Sequence, residues 1–240
     1  MVPPNHPREN QLLAALPPTE WDRLRPHLDL VSLSFGRELN DASGQMRHAY
    51  FPVSCSVSLV AMSADGSTAD IATVGHKGMA GVTAFMGGGS MFGCALVRTA
   101  GYAYRIKASQ LQSEFHNMRA LRHFLLLYTQ ALLTQIGQVA VCNRRHSVQQ
   151  QLCRCLLGML DRPQSSNQLA MTQESIANML GVRREAVTEA AGKLQQADTI
   201  RYRRGKITVL DRAALEAQVC ECYQMIKTEF DRLLPEEVTG

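Results

Sequence analysis

The chain has 240 residues, of which 45% are apolar and 19% charged, and its formal net charge is +4. These values are typical of a folded globular protein and exclude an intrinsically disordered chain. The N-terminus carries no secretion signal, and the sequence predicts no apolar run of the roughly 18 to 20 residues that span a bilayer. We therefore expect a cytoplasmic protein without membrane contact.

The first half of the chain predicts a β-rich domain behind a short helical lead-in. Before residue 28, apolar residues recur at helical spacing and prolines separate the segments. From about Leu28 to Lys107, short runs rich in Val, Ile, Tyr and Ser alternate with turn signals such as Asp65-Gly66 and Gly87-Gly88-Gly89. Many short strands at this rhythm indicate an antiparallel barrel or roll.

A long helical pattern follows, from about Ser109 to Asn143, and it contains a heptad stripe of apolar residues that continues to Cys142. Such a stripe is typical of a two-stranded coiled coil, in which one polar member, here Gln135, can fix the register. The stripe predicts a dimerisation helix, and the alternative is that it only packs on the β-rich domain. The predicted dimerisation residues are Leu121, Leu125, Tyr128, Leu132, Gln135 and Val139.

Residues 171–197 predict a helix-turn-helix. Thr172 is a good N-cap for a short helix, and Glu174 adds negative charge to its first turn. Gly181 supplies the residue that can adopt positive φ in a tight turn between helices. A second amphipathic helix runs from about Arg183 to Ala197 and completes the motif.

The second helix and the segment after it carry the charges of a DNA-binding surface. Residues 144–210 hold 11 Lys/Arg and 5 Asp/Glu. The N-terminal residues of such a helix reach base edges in a major groove, where Arg donates to guanine and Glu accepts from cytosine. Two short strands around residues 203–206 predict a wing whose cations contact phosphates. The predicted DNA-binding residues are Thr172, Arg183, Arg184, Glu185, Thr188, Glu189, Lys193, Arg201, Arg203, Arg204 and Lys206.

A solvated helix face rich in Arg and Glu is the alternative interpretation of the second helix. It does not explain why a basic hairpin follows directly. After the wing, residues 211–234 predict one more helix, with Asp211 as its N-cap and an acidic balance that favours packing on protein.

The stretch from Met171 to Asp211 resembles the winged helix-turn-helix of the cyclic-AMP receptor protein and FNR (Crp/Fnr) superfamily of bacterial transcription regulators. The resemblance rests on the motif T-x-E-x-I-A-x-M-L-G-V-x-R-E-x-V-T and on the order of the predicted parts. It implies an α+β fold with three parts. These are an N-terminal cyclic-nucleotide-binding-like β-roll, or jelly roll, with its helical lead-in (1–108), a long dimerisation helix (109–143) and a C-terminal winged helix-turn-helix domain with a last helix (144–240).

The resemblance also implies a function. The protein would be a sequence-specific transcription regulator that binds double-stranded DNA as a homodimer on a near-palindromic operator, with RNA polymerase as a further partner and an effector on the β-roll. Arg184 and Glu185 fall on the positions that read a G·C pair in the family. Glu189 stands where the best-known members have a second base-reading arginine, so we expect a different preference at one or two positions of the half-site.

The β-roll sequence argues against the family's best-known ligand. Cyclic-nucleotide binders use a Gly-Glu segment for the ribose and an Arg-Ser/Thr pair for the phosphate. The glycines at 75, 78 and 81 resemble that frame, but apolar residues occupy the glutamate's neighbourhood and no arginine lies between Lys77 and Arg98. A buried phosphate without a positive partner would be poorly compensated. We expect no ordinary cyclic-AMP binding, and the effector stays unknown.

The seven cysteines predict free thiols rather than a disulfide framework. None precedes Cys55, so we expect no iron–sulfur cluster of the family's N-terminal type. In helices, the members of Cys153-x-Cys155 and Cys220-x-Cys222 would point about 200° apart and could not chelate one ion. We therefore expect buried structural thiols and no metal ligand.

Alternative functions remain. One is a redox, metal or haem sensor that uses cysteine and histidine residues, and another is a ligand-binding module with secondary DNA contact. An enzyme is not expected, and no catalytic residue is predicted, because the sequence has no P-loop, dinucleotide fingerprint, nucleophile elbow or HExxH motif.

Overall fold

The computed structural model describes residues 6–41, 43–88, 90, 93–162 and 166–234. The chain divides into two compact units. The first comprises the described residues of Met1–Ala61, Ala72–Thr134 and Thr228–Gly240, and the second those of Met62–Ile71 and Gln135–Lys227. The division falls within the long helical segment that the sequence predicts.

Short helices begin the first unit, as the apolar spacing predicts. The side chain of Asn10 accepts a hydrogen bond from the backbone N–H of Leu12 and so caps the first α-helix. Pro18 occupies the first position of the second α-helix, where a missing N–H has little cost. The elements are a 3-10 turn (Pro7–Glu9), α1 (Gln11–Ala14), α2 (Pro18–Leu24) and a second 3-10 turn (Arg25–His27).

Two three-stranded sheets follow, with a short helix between their strands. The elements are β1 (Asp29–Leu33), β2 (His48–Pro52), β3 (Ser56–Met62), β4 (Thr68–Val74), α3 (Thr83–Met86), β5 (Cys94–Thr99) and β6 (Gly101–Lys107). One sheet has the order β1-β6-β2 and the other β4-β3-β5. The pairs β1–β6, β2–β6 and β3–β5 are antiparallel, which confirms the predicted β-rich segment. The predicted glycine turn follows α3, where Gly87 has φ +85°, and its last member, Gly89, lies outside the described residues.

The sequence predicts one long helix after the sheets, but the structure has two. They are α4 (Ala108–Asn117) and α5 (Arg119–Arg145). Between them, Met118 has extended backbone and is buried in the core. The two carboxylate oxygens of Glu20 accept the backbone N–H groups of Ala120 and Leu121 at 2.9 and 2.8 Å. Glu20 on α2 therefore caps the N-terminus of α5, a tertiary contact that local periodicity does not reveal.

Among the described residues, α5 is the one helix long and apolar enough to cross a membrane. It contains an 18-residue window with mean hydropathy 1.4 and at most two charged residues, so the expectation that no such run exists is wrong. Leu121, Leu125 and Tyr128 on this helix are buried in the chain's own core. A core helix of a globular protein has the same composition, so one helix of this kind is weak evidence for a membrane span.

The second unit contains helices around a small sheet. After the C-terminal part of α5 come α6 (Val148–Leu160), β7 (Gln168–Ala170), α7 (Gln173–Leu180), α8 (Arg184–Gln196), β8 (Ile200–Arg203), β9 (Lys206–Val209), α9 (Arg212–Gln218) and α10 (Cys222–Leu233), which continues past the division between the units. The sheet order is β7-β9-β8, and both pairs are antiparallel.

Two expectations for this unit need correction. The sequence predicts no strand before the helix-turn-helix, but β7 pairs with β9 there and places Leu169 opposite Ile207. The segment after the wing is two helices rather than one, because the chain leaves helical geometry at Val219, whose backbone is extended. The start of α9 is as predicted, since the Asp211 side chain accepts the N–H of Ala214 at 3.0 Å.

Candidate nucleic-acid interface

One hydrophobic cluster fixes α7, α8 and the wing strands relative to one another. Its members are mainly buried side chains of α6, α7, α8, β8, β9 and α9. They include Leu152, Leu156, Ile176, Leu180, Val187, Leu194, Ile200, Ile207, Val209 and Leu215. Because these helices and strands share one core, the outward faces of α8 and of the β8–β9 hairpin form one rigid surface.

Single residues at its two ends fix the start of α7 and the turn that leads to α8. The Thr172 hydroxyl accepts the N–H of Ser175 at 3.0 Å and caps α7, as predicted. Gly181 ends α7 with φ +66°, a conformation that any larger residue adopts only with strain. The N–H of Val182 then donates to the Ala177 carbonyl at 3.0 Å, which closes the helix end.

The first two turns of α8 present polar side chains to solvent. Arg184, Glu185, Thr188 and Glu189 are all exposed, whereas Val187 between them is buried. The Thr188 hydroxyl lies 3.1 Å from Gln173 Oε1 on α7 and 3.0 Å from the Arg184 carbonyl. The contact between Thr188 and Gln173 joins the two helices at the surface.

Glu189 is ionised and paired within its own helix. Its Oε1 lies 2.7 Å from Lys193 Nζ, and both side chains are more than half exposed. The hydrogen bond from Lys193 and the charge of that ammonium hold the pKa of the Glu189 carboxyl below its ordinary value. Lys193 balances the charge of the Glu189 carboxylate, whose oxygens can still accept a hydrogen bond. Such an acceptor can bind the amino group of a base better than it can bind a phosphate.

The wing is a two-residue hairpin with cations at its tip. Arg204 and Gly205 have φ +50° and +73°, as a type I′ turn requires, and Arg203 lies opposite Lys206. Tyr202 anchors the hairpin, because its N–H donates to Gln195 Oε1 at 2.7 Å and its hydroxyl to the Met171 carbonyl at 3.1 Å. The wing is thereby tied to α8 and to the segment directly before α7.

All eleven predicted DNA-binding residues are exposed. Six of them are cations with no carboxylate within ion-pair distance in the described part of the chain, namely Arg183, Arg184, Arg201, Arg203, Arg204 and Lys206. Their side chains emerge from one end of α8 and from the adjoining hairpin. The arrangement combines donors at a helix N-terminus with a cationic hairpin, as a duplex-binding surface needs.

The stripe predicted for dimerisation lies on the intramolecular face of α5. Leu121, Leu125, Tyr128, Leu132 and Val139 are each at most 4% exposed within a single chain, and Gln135 is partly buried. A heptad stripe can face either the chain's own core or a second helix, and here it faces the core. The exposed large apolar side chains of α5 lie elsewhere around the helix, and they are Leu126, Leu133 and Val141.

The middle glycine of the β-roll frame, Gly78, is required by packing. A Cβ on Gly78 would lie 2.3 Å from a ring carbon of Tyr128, whose hydroxyl donates to the Met79 carbonyl at 2.8 Å. Met79 and Ala80 are completely buried, and Ala80 exchanges backbone hydrogen bonds with Tyr50. The residues in the place of the ribose-binding glutamate are therefore core residues, and they do not fit a cyclic nucleotide.

The structure brings four metal-ligating side chains together, which the sequence analysis does not predict. Their ligand atoms, from Cys142, His146, Cys220 and Cys222, lie within 4.8 Å of one another. Cys220 and Cys222 would point apart if both were helical, but Cys220 precedes α10, and the two thiols can therefore meet. Cys153 is fully buried, and burial raises the pKa of its thiol to about 12.

Comparisons with known proteins agree with this geometry. Residues 150–218 match the family of the Crp-like helix-turn-helix domain. None of the curated proteins compared with the chain matches it. Solved structures with a similar fold include FixK2 from Bradyrhizobium japonicum, with TM-score 0.68 and 18% identity over 80% of this chain and 98% of that one.

Two further structures extend the similarity. A putative transcriptional regulator of the Crp/Fnr family from Eubacterium rectale has TM-score 0.69 and 17% identity over 88% of this chain and 98% of its own. The c-di-GMP-responsive global regulator CLP of Xanthomonas campestris has TM-score 0.63 and 18% identity over 80% and 99%. These similarities confirm the α+β fold with a cyclic-nucleotide-binding-like β-roll and a C-terminal helix-turn-helix.

Proposed function

We propose that the chain is a DNA-binding transcription regulator of the Crp/Fnr superfamily, and that it binds a near-palindromic operator as a homodimer through α8 and the wing. The observation that carries this proposal is the exposed N-terminal turn of α8 beside a cationic hairpin on one rigid core. As a regulator acting on chromosomal promoters, it would work in the cytoplasm, with RNA polymerase as a further partner and without an enzymatic step.

The two parts of the surface have different tasks. The start of α8 enters the major groove, where the Arg184 guanidinium donates to O6 and N7 of guanine and the Glu185 carboxylate accepts from N4 of cytosine. Glu189, one helical turn later, accepts from a base amino group. The wing cations contact the phosphate backbone, which adds affinity without sequence preference and fixes the approach of α8.

We propose that the second copy of the chain docks on the exposed apolar face of α5. Leu126 and Leu133 are 52% and 64% exposed and lie seven residues apart, the repeat of a coiled-coil seam. Apolar side chains at this spacing are matched best by the same face of a second α5. Two recognition helices would then meet successive major grooves, about 34 Å apart.

Selection of bound duplexes from a random DNA library tests this function. The purified protein, without added ligand, is used at two salt concentrations. We expect enrichment of an inverted repeat with G·C pairs at mirrored positions whose centres are about 10 base pairs apart. Bulk binding that is only salt-sensitive, with no enriched sequence, would contradict sequence-specific recognition.

Arg203→Ala should weaken DNA binding by a similar factor for every sequence. The side chain is exposed beside the wing tip, so its loss removes about one phosphate contact per chain, or two per dimer, and flattens the slope of log K against log salt by roughly 1.8. Titrations of operator and random duplexes over a salt series measure this. A loss confined to the operator would mean that Arg203 reads bases.

Leu133→Asp should dissociate the dimer while leaving each chain folded. The substitution would place an unpaired carboxylate between two packed apolar helix faces. We therefore expect the dimer dissociation constant to rise roughly tenfold or more. Sedimentation equilibrium measures the constant, and circular dichroism monitors folding. Leu30→Asp is the matched control, since Leu30 is an exposed leucine on β1. An unchanged dimer would place the interface elsewhere.

A further inference from the structure

The four metal-ligating side chains come from two segments that are distant in sequence. Cys142 lies near the C-terminal end of α5, and His146 follows one turn later on the same side of the chain. Cys220 and Cys222 lie at the junction between α9 and α10, and Cys222 is the first residue of α10. All four belong to the second compact unit. The arrangement therefore joins the end of α5 to the segment after the wing.

Their separations match the edges of a small tetrahedron. Cys142 Sγ lies 3.6 Å from Cys220 Sγ, and Cys222 Sγ lies 3.4 Å from His146 Nδ1. Around a tetrahedral zinc ion, with bonds of about 2.3 Å to sulfur and 2.0 Å to nitrogen, two sulfurs lie about 3.8 Å apart and a sulfur and a nitrogen about 3.5 Å. The longest separation in the group is within 4.8 Å, so side-chain adjustments suffice to close the site.

Neighbouring groups hold the ligands in the orientation that a metal needs. The other imidazole nitrogen, Nε2 of His146, lies 3.2 Å from Glu221 Oε1. A carboxylate in this position fixes the ring and raises the basicity of the coordinating nitrogen, as at many zinc sites. The side-chain amide of Gln138 donates to Cys222 Sγ at 3.3 Å, a contact that stabilises a thiolate.

The local charge also fits. Three thiolates and one divalent cation leave one net negative charge, and Arg154 lies beside Cys142. The Arg154 guanidinium beside the Cys142 sulfur partly offsets that charge. A bound divalent cation would favour the thiolate form of all three cysteines.

Other occupants fit less well. The ligands of an iron–sulfur cluster are distributed over two or more irons, so as a set they must lie farther apart than four ligands around one ion. A disulfide between Cys142 and Cys220 would use two of the thiols and leave the Cys222–His146 contact unexplained. Three sulfurs and one imidazole are instead the ligand set of a closed structural zinc site.

We propose that Cys142, His146, Cys220 and Cys222 bind one Zn²⁺ ion per chain. The ion would fasten the end of α5 to the α9–α10 junction. It would thereby fix the direction in which α5 leaves the helix-turn-helix core. This proposal concerns the metal alone, so its test is independent of DNA binding.

The test is reconstitution of the full-length metal-free protein with Zn²⁺ against a chromophoric chelator, followed by elemental analysis after gel filtration. We expect one zinc per chain. Co²⁺ in its place should give the visible bands of a tetrahedral ion and the near-ultraviolet charge-transfer band of cobalt–thiolate bonds. Less than a tenth of an equivalent of bound zinc, or an octahedral cobalt spectrum, would overturn the proposal. A thiol titration that finds two fewer free thiols than the seven cysteines of the chain would indicate a disulfide and would also overturn the proposal.

Variants separate ligation from general loss of folding. Cys220→Ser and His146→Ala should abolish stoichiometric binding, whereas Cys94→Ser and Cys155→Ser, at half-buried cysteines outside the group, should keep one zinc per chain. Glu221→Gln removes no ligand and leaves the fold intact, and we expect it to weaken zinc affinity by roughly 10- to 100-fold. Unchanged affinity in the Glu221→Gln and Cys220→Ser proteins would exclude this site.

Discussion

Arg184→Ala should abolish most of the discrimination between operator and random DNA. A bidentate arginine–guanine contact contributes about 1–3 kcal/mol of discrimination, and a symmetric dimer makes the contact twice, so the operator should lose roughly 2–6 kcal/mol. Arg184 is exposed at the first turn of α8 and has no ion pair among the described residues that its removal could disturb. The fold should therefore be unaffected.

Two further variants identify the cause of that loss. Arg184→Lys keeps the charge but not the planar fork of donors, so we expect it to lose discrimination while the salt dependence stays that of the wild type. Arg37→Ala, at an exposed arginine of the first unit, removes the same charge and should bind as the wild type does. Competition titrations with operator and random duplexes, carried out over a salt series, give both the discrimination and the salt dependence of each variant. If Arg184→Ala and Arg37→Ala retained equal discrimination, Arg184 would not read bases.

Gly78→Ala should strongly destabilise the first unit. The added methyl would stand 2.3 Å from Tyr128 Cε2 and 2.8 Å from its hydroxyl oxygen, and the Tyr128 side chain is 1% exposed. The ring cannot move aside without breaking its hydrogen bond to Met79, because core side chains are closely packed. Overpacking of this kind costs about 1–3 kcal/mol, and we expect a value near the upper end.

Gly75→Ala is the matched control for this prediction. No heavy atom lies within 4 Å of a Cβ at Gly75, and its φ is not in the left-handed region, so alanine should be tolerated there. Gly78→Ala combined with Tyr128→Leu removes the ring that the methyl meets, and the double variant should lose less stability than the two single changes summed. Urea denaturation gives the free energies of unfolding. Equal effects at positions 75 and 78 would contradict this packing.

Features fixed by local sequence were predictable. The Thr172 cap and the Asp211 cap each depend on one side chain and a nearby N–H, and the Gly181 turn depends on one residue's freedom at positive φ. Such contacts occur within a few positions along the chain. Sequence patterns report them directly, and so the helix-turn-helix and the wing could be located residue by residue.

Features fixed by distant partners could not be predicted. The break at Met118 depends on Glu20, about a hundred positions away, and β7 depends on β9. The heptad stripe on α5 could not be assigned, because the same spacing serves an intramolecular core and a dimer seam. The cysteine group was missed for a related reason, since Cys142 and Cys220 are 78 positions apart and the latter lies outside a helix.

The tip of the wing shows a compromise between thermal stability and ligand affinity. A type I′ turn with φ +50° at its first central position favours asparagine or glycine, and arginine there is less stable than either. In the complex that we propose, this less stable hairpin places a cation at the point of closest approach to a phosphate. A variant selected for heat resistance alone would be expected to change Arg204 first, and it would become a more durable but weaker binder of its operator.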